Sequence, residues 1–156
     1  MPFGLAVTFE SYGYRKLVET KKILIAFAGP LTNILISIIT LFIHIDENLK
    51  QTIIYSNILV AFFNLIPIYP LDGGRILKGF IKLKYKNNMV ADLVVNKISN
   101  ILAIALTAIS SILILYLKNI SIFLVIVYLW IIVIKENKRF DLKKKVNDII
   151  LEQNGL

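Results

Sequence analysis

From Ile23 to Ile43 the chain runs 21 residues without a charged side chain, and no other feature narrows its possible folds so far. A helix rises about 1.5 Å per residue, so this stretch reaches roughly 30 Å, the thickness of a bilayer's hydrocarbon core. A second apolar run extends from about Thr52 to Leu71. A third covers Ile98 to Ile134 and is interrupted only by Lys118-Asn119. As one helix the third run would be about 55 Å long, too long for a single crossing, so it reads as a hairpin of two spans. Hydrophobic residues make up 57% of the sequence and its mean hydropathy is +0.74, more apolar surface than a soluble chain of this size can bury. The expectation is an all-α membrane protein with about four transmembrane helices, at 23–43, 52–71, 98–117 and 120–134. Residues 1–134 would form the membrane core and 135–156 a basic tail.

Charge placement gives the orientation. The chain has 18 basic and 10 acidic residues, a net charge of +8. Of the basic residues, 16 fall in 1–22, 75–97 and the tail, and 2 (Lys50 and Lys118) fall elsewhere. The positive-inside rule then puts both termini in the cytoplasm and the protein in the cell membrane as a multi-pass chain. Every dense basic cluster abuts an apolar run, which favours lipid headgroups as its neighbours and argues against nucleic acid. Residues 75–97 read as a basic loop lying along the surface with its lysines reaching outward. Residues 1–22 contain no long apolar core, so neither a signal peptide nor a span is expected there. Within them, Leu5 to Glu10 has the rough alternation of a short β segment.

The second run ends in Asn64-Leu-Ile-Pro67-Ile-Tyr-Pro70-Leu-Asp72-Gly73-Gly74-Arg75. Two prolines remove backbone donors and clash with the preceding turn, so a helix arriving through Val60 to Phe63 must break. Unwound backbone at membrane depth is tolerated only inside protein or beside a watery cavity, and an acid there is a functional residue by default. Asp72 is therefore the first candidate. Asn57 and Asn64 are seven residues apart and share a helix face, which directs Asn64 toward the bundle interior. In the first run Pro30 predicts a kink, flanked by small residues that let another backbone approach, with Thr32 and Asn33 beside it. His44 is the sole histidine. It closes the far end of the first span, and a helix length separates it from Asp72, so it is not expected to bind a metal with it.

These residues resemble a known pattern. Asn64 with Pro70-Leu71-Asp72-Gly73-Gly74-Arg75 is similar to the second signature of the site-2 protease family of intramembrane zinc metalloproteases (peptidase family M50). Phe27-Ala28-Gly29-Pro30-Leu31-Thr32-Asn33 resembles the motif that precedes it, and the chain is most like a member that acts in sporulation. The resemblance implies a zinc cofactor with Asp72 as its third ligand. It gives Asn64, Pro70, Gly73 and Gly74 positioning roles and has Gly29, Pro30 and Asn33 line the site. It also implies a membrane-associated protein substrate, such as a sigma-factor precursor, and regulatory membrane proteins as partners.

The family's first two zinc ligands and its catalytic glutamate belong to an H-E-x-x-H helix, and this sequence has none. Met1-Pro2-Phe3-Gly4 resembles the segment that follows that helix, so the expectation is a numbering that begins inside the catalytic core. No catalytic residue would be present, and zinc would not bind stably to this chain alone. Two other functions stay open: a non-catalytic pseudoprotease or assembly protein of the same fold, and a small transporter built on the broken helix. For Asp72 itself the structural alternative is a cap on the helix that follows. The charge pattern makes its own prediction. Reporter fusions after Lys50 and after Lys118 should both signal from the outer face; a cytoplasmic signal from either defeats the four-span topology.

Overall fold

The computed structural model describes residues 17–117 and 121–153, which form five helices: α1 (Glu19–Phe42), α2 (Glu47–Leu65), α3 (Asp72–Tyr85), α4 (Asn88–Leu117) and α5 (Ser121–Gln153). There is no strand among the described residues. The Leu5–Glu10 segment and the Lys118-Asn119 break lie outside them. The chain is an all-α membrane protein. By length and composition, two of these helices suffice to cross a bilayer, Glu19–Phe42 and Asn88–Tyr116.

Local chemistry sets the boundaries. The Asp46 carboxylate accepts the Leu49 N–H at 3.1 Å and caps α2, satisfying a donor that the first turn leaves orphaned. Asn87 does the same for α4, its Oδ1 accepting from Met89 N at 2.8 Å and Val90 N at 3.3 Å. Lys86 ends α3 in the left-handed region at φ 53°. Pro30 lies inside α1 and is almost fully buried, and the helix runs through it. Three helices are longer or earlier than the apolar runs suggest. α2 begins at Glu47, α4 ten residues ahead of Ile98, and α5 passes Ile134 without a break to Gln153.

The bundle consists of two hairpins, α1–α2 and α4–α5, with α3 packed on both. Between α1 and α2, Ser37 Oγ donates to Asn33 O at 3.0 Å within its own helix and lies 3.4 Å from Ile54 O across the interface. Between α4 and α5, Trp130 Nε1 donates to Thr107 Oγ1 at 2.8 Å, and Leu129 and Val133 are buried. Asn96, Asn100 and Asn137 add a closed amide network: Asn137 Nδ2 donates to Asn100 Oδ1, while Asn96 and Asn100 both donate to Asn137 Oδ1, at 2.8–3.0 Å.

The α1–α3 pairing corrects one expectation. Residues 75–85 are not a surface loop; they belong to α3, which runs antiparallel to α1. Glu19 Oε1 meets Lys82 Nζ at 3.4 Å, Ile23 lies against Gly79, Ile23 and Ala26 form a buried cluster with Ile76, and Gly29 lies against Asp72. The reason is steric and amphipathic. Ile76 and Gly79 bury one side of α3 against Ile23 and Ala26 of α1, Gly73 and Gly74 lie under the preceding loop, and Lys78 reaches Asp92 of α4. Residues 75–85, which looked like an excursion, therefore continue the broken helix along α1.

Candidate active site

The site is built where two interrupted segments meet. α2 stops at Leu65 and α3 starts at Asp72, leaving six residues, Ile66 to Leu71, to turn the chain. Ile66 N donates to Phe63 O, Ile68 N to Ile66 O, and Leu71 N to Ile68 O, with Tyr69–Pro70 in the cis form. Arg75 N then donates to Leu71 O at 3.0 Å and starts α3. The loop folds back over the head of this helix. A Cβ on Gly73 would overlap the carbonyls of Leu65 and Ile66, and one on Gly74 would overlap the backbone at Ile68 and Tyr69. The two glycines are there because backbone occupies the space a side chain needs.

Asp72 is the first residue of α3, and Leu71 takes the N-cap position without any side-chain cap. As an acid in the first turn Asp72 still suits the positive end of the helix. Its carboxylate turns to α1, where Oδ2 stands 2.6 Å from the place a Cβ would occupy on Gly29. The two motifs are thus in direct contact, the absence of a side chain on one making room for the acid of the other. Gly29 is ten residues along α1 from Glu19, about 15 Å at helical rise. If α1 crosses the bilayer, Asp72 lies near its middle.

The other candidates surround this contact unequally. Pro30 is buried next to Gly29, and Asn33 is half-buried one turn further on, its carbonyl holding Ser37. Asn64 is half-buried in the last turn of α2, while Asn57 has turned its amide to Ile53 O at 2.8 Å in its own helix. Pro70 is half-buried in the loop. His44 is exposed beyond the end of α1, about 20 Å along the helix from Gly29. Sequence reasoning missed Ser99, whose Oγ accepts the Tyr69 N–H at 2.9 Å. A lone serine in an apolar helix resembles any packing residue, and no spacing links it to a loop 30 positions earlier.

For a catalytic zinc, three protein ligands are needed. Among the described residues no three His, Cys, Asp or Glu side chains come together, and Asp72 alone offers one oxygen. The donors present here do not fit a catalytic zinc ion without further ligands.

Comparison with known proteins locates similarity on this site. Residues 44–109, which include α2, the loop and α3, match the family described as Peptidase family M50. A zinc metalloprotease of Methanocaldococcus jannaschii is 38% identical over 77 residues, covering 45% of this chain and 23% of that protein. Stage IV sporulation protein FB of Bacillus subtilis is 35% identical over 81 residues, covering 49% of this chain and 27% of that protein. The matched region thus spans about a quarter of each of these relatives. The solved structure of a site-2 protease from Methanocaldococcus jannaschii superimposes with a TM-score of 0.57 at 30% identity, over 75% of this chain and 55% of that one.

Two outcomes follow from the geometry. Gly74→Ala should destabilise the chain by about 1–3 kcal/mol or more, since backbone cannot move aside as a side chain can; thermal unfolding in detergent measures it. Purified as these 156 residues, the protein should carry no stoichiometric zinc by elemental analysis. One tightly held zinc per chain, lost in Asp72→Asn, would show that Asp72 has partners beyond those named.

Proposed function

Since the chain belongs to the site-2 protease family, we propose that it is a membrane core of an intramembrane zinc metalloprotease, with Asp72 as its zinc-ligating carboxylate. The contact between Asp72 and Gly29 carries this reading, because it joins the two motifs by which the family resemblance was drawn. A zinc ion in such a site supplies a polarised water and a Lewis acid. Two histidines and a glutamate on an H-E-x-x-H helix are not among these 156 residues and would come from a separate stretch of polypeptide.

The residues present hold and shape. Gly73 and Gly74 let the loop close over α3, Gly29 and Pro30 leave the acid its place on α1, and Asn64 at the mouth of the loop positions substrate backbone with its amide. Asn33 lines α1 one turn beyond. The substrate class is a membrane-associated regulatory protein, and the likeness to a sporulation protein makes a sigma-factor precursor a natural choice. The four-span topology with both termini in the cytoplasm belongs to the same proposal. In it, α2 and α3 together form the second crossing, interrupted at the Asp72 loop.

One observation favours a second reading. With a single carboxylate at the centre and no converging histidine among the described residues, the chain can serve as a pseudoprotease, a regulator of the same fold without chemistry. Restoration separates the two. Supplying the H-E-x-x-H helix of a relative, fused upstream or as a separate fragment, should yield zinc binding and cleavage of a membrane-tethered substrate. Asp72→Asn should abolish both, because an amide lacks the charge that holds the metal. Asn64→Ala should lower cleavage while leaving zinc bound. Full cleavage with Asn at position 72 would refute the ligand assignment, and no zinc uptake after restoration would favour the pseudoprotease.

A further inference from the structure

The loop that leads into Asp72 has few backbone donors to satisfy. Of its six residues, Pro67 and Pro70 have no N–H. Ile66, Ile68 and Leu71 donate to Phe63, Ile66 and Ile68, all within the loop or the helix end before it. Tyr69 is different. Its N–H goes to Ser99 Oγ on α4 at 2.9 Å, and Ser99 is 4% exposed. In a buried setting each backbone donor needs an acceptor, so the loop's hydrogen bonding is completed by a side chain from the other hairpin.

Neighbouring contacts hold the same junction. Ile68, next to Tyr69, is 0% exposed and packs with Ala103 of α4 and Val133 of α5. One turn separates Ser99 from Ala103, which places the hydrogen bond and the apolar contact on one face of α4. Lys78 of α3 stands 4.8 Å from the centre of the Tyr69 ring and pairs with Asp92 of α4, whose other oxygen takes Lys143 of α5 at 3.0 Å. The loop is therefore anchored from behind, on the side away from α1, while Asp72 faces α1 three residues later.

We infer that Ser99 is a positioning residue for Asp72: by accepting the Tyr69 N–H it fixes the loop and so the direction in which the carboxylate leaves α3. It acts through the backbone from Tyr69 to Asp72. This inference rests on reading Asp72 as the working carboxylate of the site, but its test needs neither zinc nor proteolysis.

The test is residue-resolved hydrogen exchange on the full chain in lipid nanodiscs, with carbodiimide labelling of carboxylates read by mass spectrometry. In the unaltered chain the Tyr69 amide should be as protected as the amides of α4; an unprotected Tyr69 overturns the tether at once, without any variant. Ser99→Ala should raise exchange at Tyr69 by roughly tenfold or more, as expected for a lost buried hydrogen bond. Ser99→Thr, which keeps the hydroxyl, should restore it. The labelling rate of Asp72 should change in Ser99→Ala while that of exposed Asp141 stays put, and the thermal midpoint should fall only by the few degrees that one lost buried hydrogen bond costs. Faster exchange at Tyr69 with unaltered labelling of Asp72 overturns the positioning role and leaves Ser99 as a packing residue. A failure of the protease reading would appear in the restoration assay and would leave these exchange results intact.

Discussion

Close antiparallel packing of α3 on α1 is the constraint on which the rest of the molecule depends. It sets Gly79 against Ile23, draws Ile76 into a buried cluster with Ile23 and Ala26, and brings Asp72 against Gly29. The usual apolar driving force is weak between helices surrounded by lipid, so small residues that bring backbones together do the work. At the basic end the pairing is closed by Glu19, which holds both Lys22 at 2.9 Å and Lys82 at 3.4 Å. Charge at the edge and close contact in the middle align one helix on the other, and the acid is delivered to its place as a result.

The loop ahead of α3 shows how irregular backbone is tolerated in such a setting. It contains few free donors, because two of its residues are prolines, and it recycles carbonyls from α2 and from itself. What remains is answered by a helix from the second hairpin. Non-helical backbone at membrane depth survives only with this sort of complete pairing. The second hairpin is thus more than scaffold: its serine, its alanine and its buried valine form the surface against which the loop is moulded.

The helical class and the break near Pro67 and Pro70 were legible in the sequence, because proline chemistry and the length of uncharged runs act locally, whereas a common site for the two motifs was implied only by the resemblance. The role of residues 75–85 was hidden. Lysines at 78, 82 and 84 imitate a solvated loop, and only Ile76 and Gly79, one turn apart, mark the side that packs on α1. Helix ends were blurred for the same reason: Asn88 to Lys97 and Lys135 to Gln153 are polar enough to look separate, yet their charges and amides are absorbed by partners such as Asp92 with Lys143 and Asn96 with Asn137. Ser99 lay beyond reach, since its significance is a long-range contact without any local signature.

The matched contacts between α1 and α3 form a ladder: residue 19 with 82, 23 with 79, 26 with 76, 29 with 72. Each step forward on one helix is a step back on the other, so the two numbers add to nearly the same value along the whole interface. Such a pair works as a measuring rod. Inserting or deleting one residue in either helix turns everything beyond it by about 100° and slides it 1.5 Å, and the glycine at one rung would then face a side chain while the acid faced a wall. A substitution disturbs one rung, but a change in length disturbs every rung beyond it, so between Ile23 and Gly29, and between Asp72 and Gly79, the count of residues is held more tightly than the identity of those that face lipid or solvent.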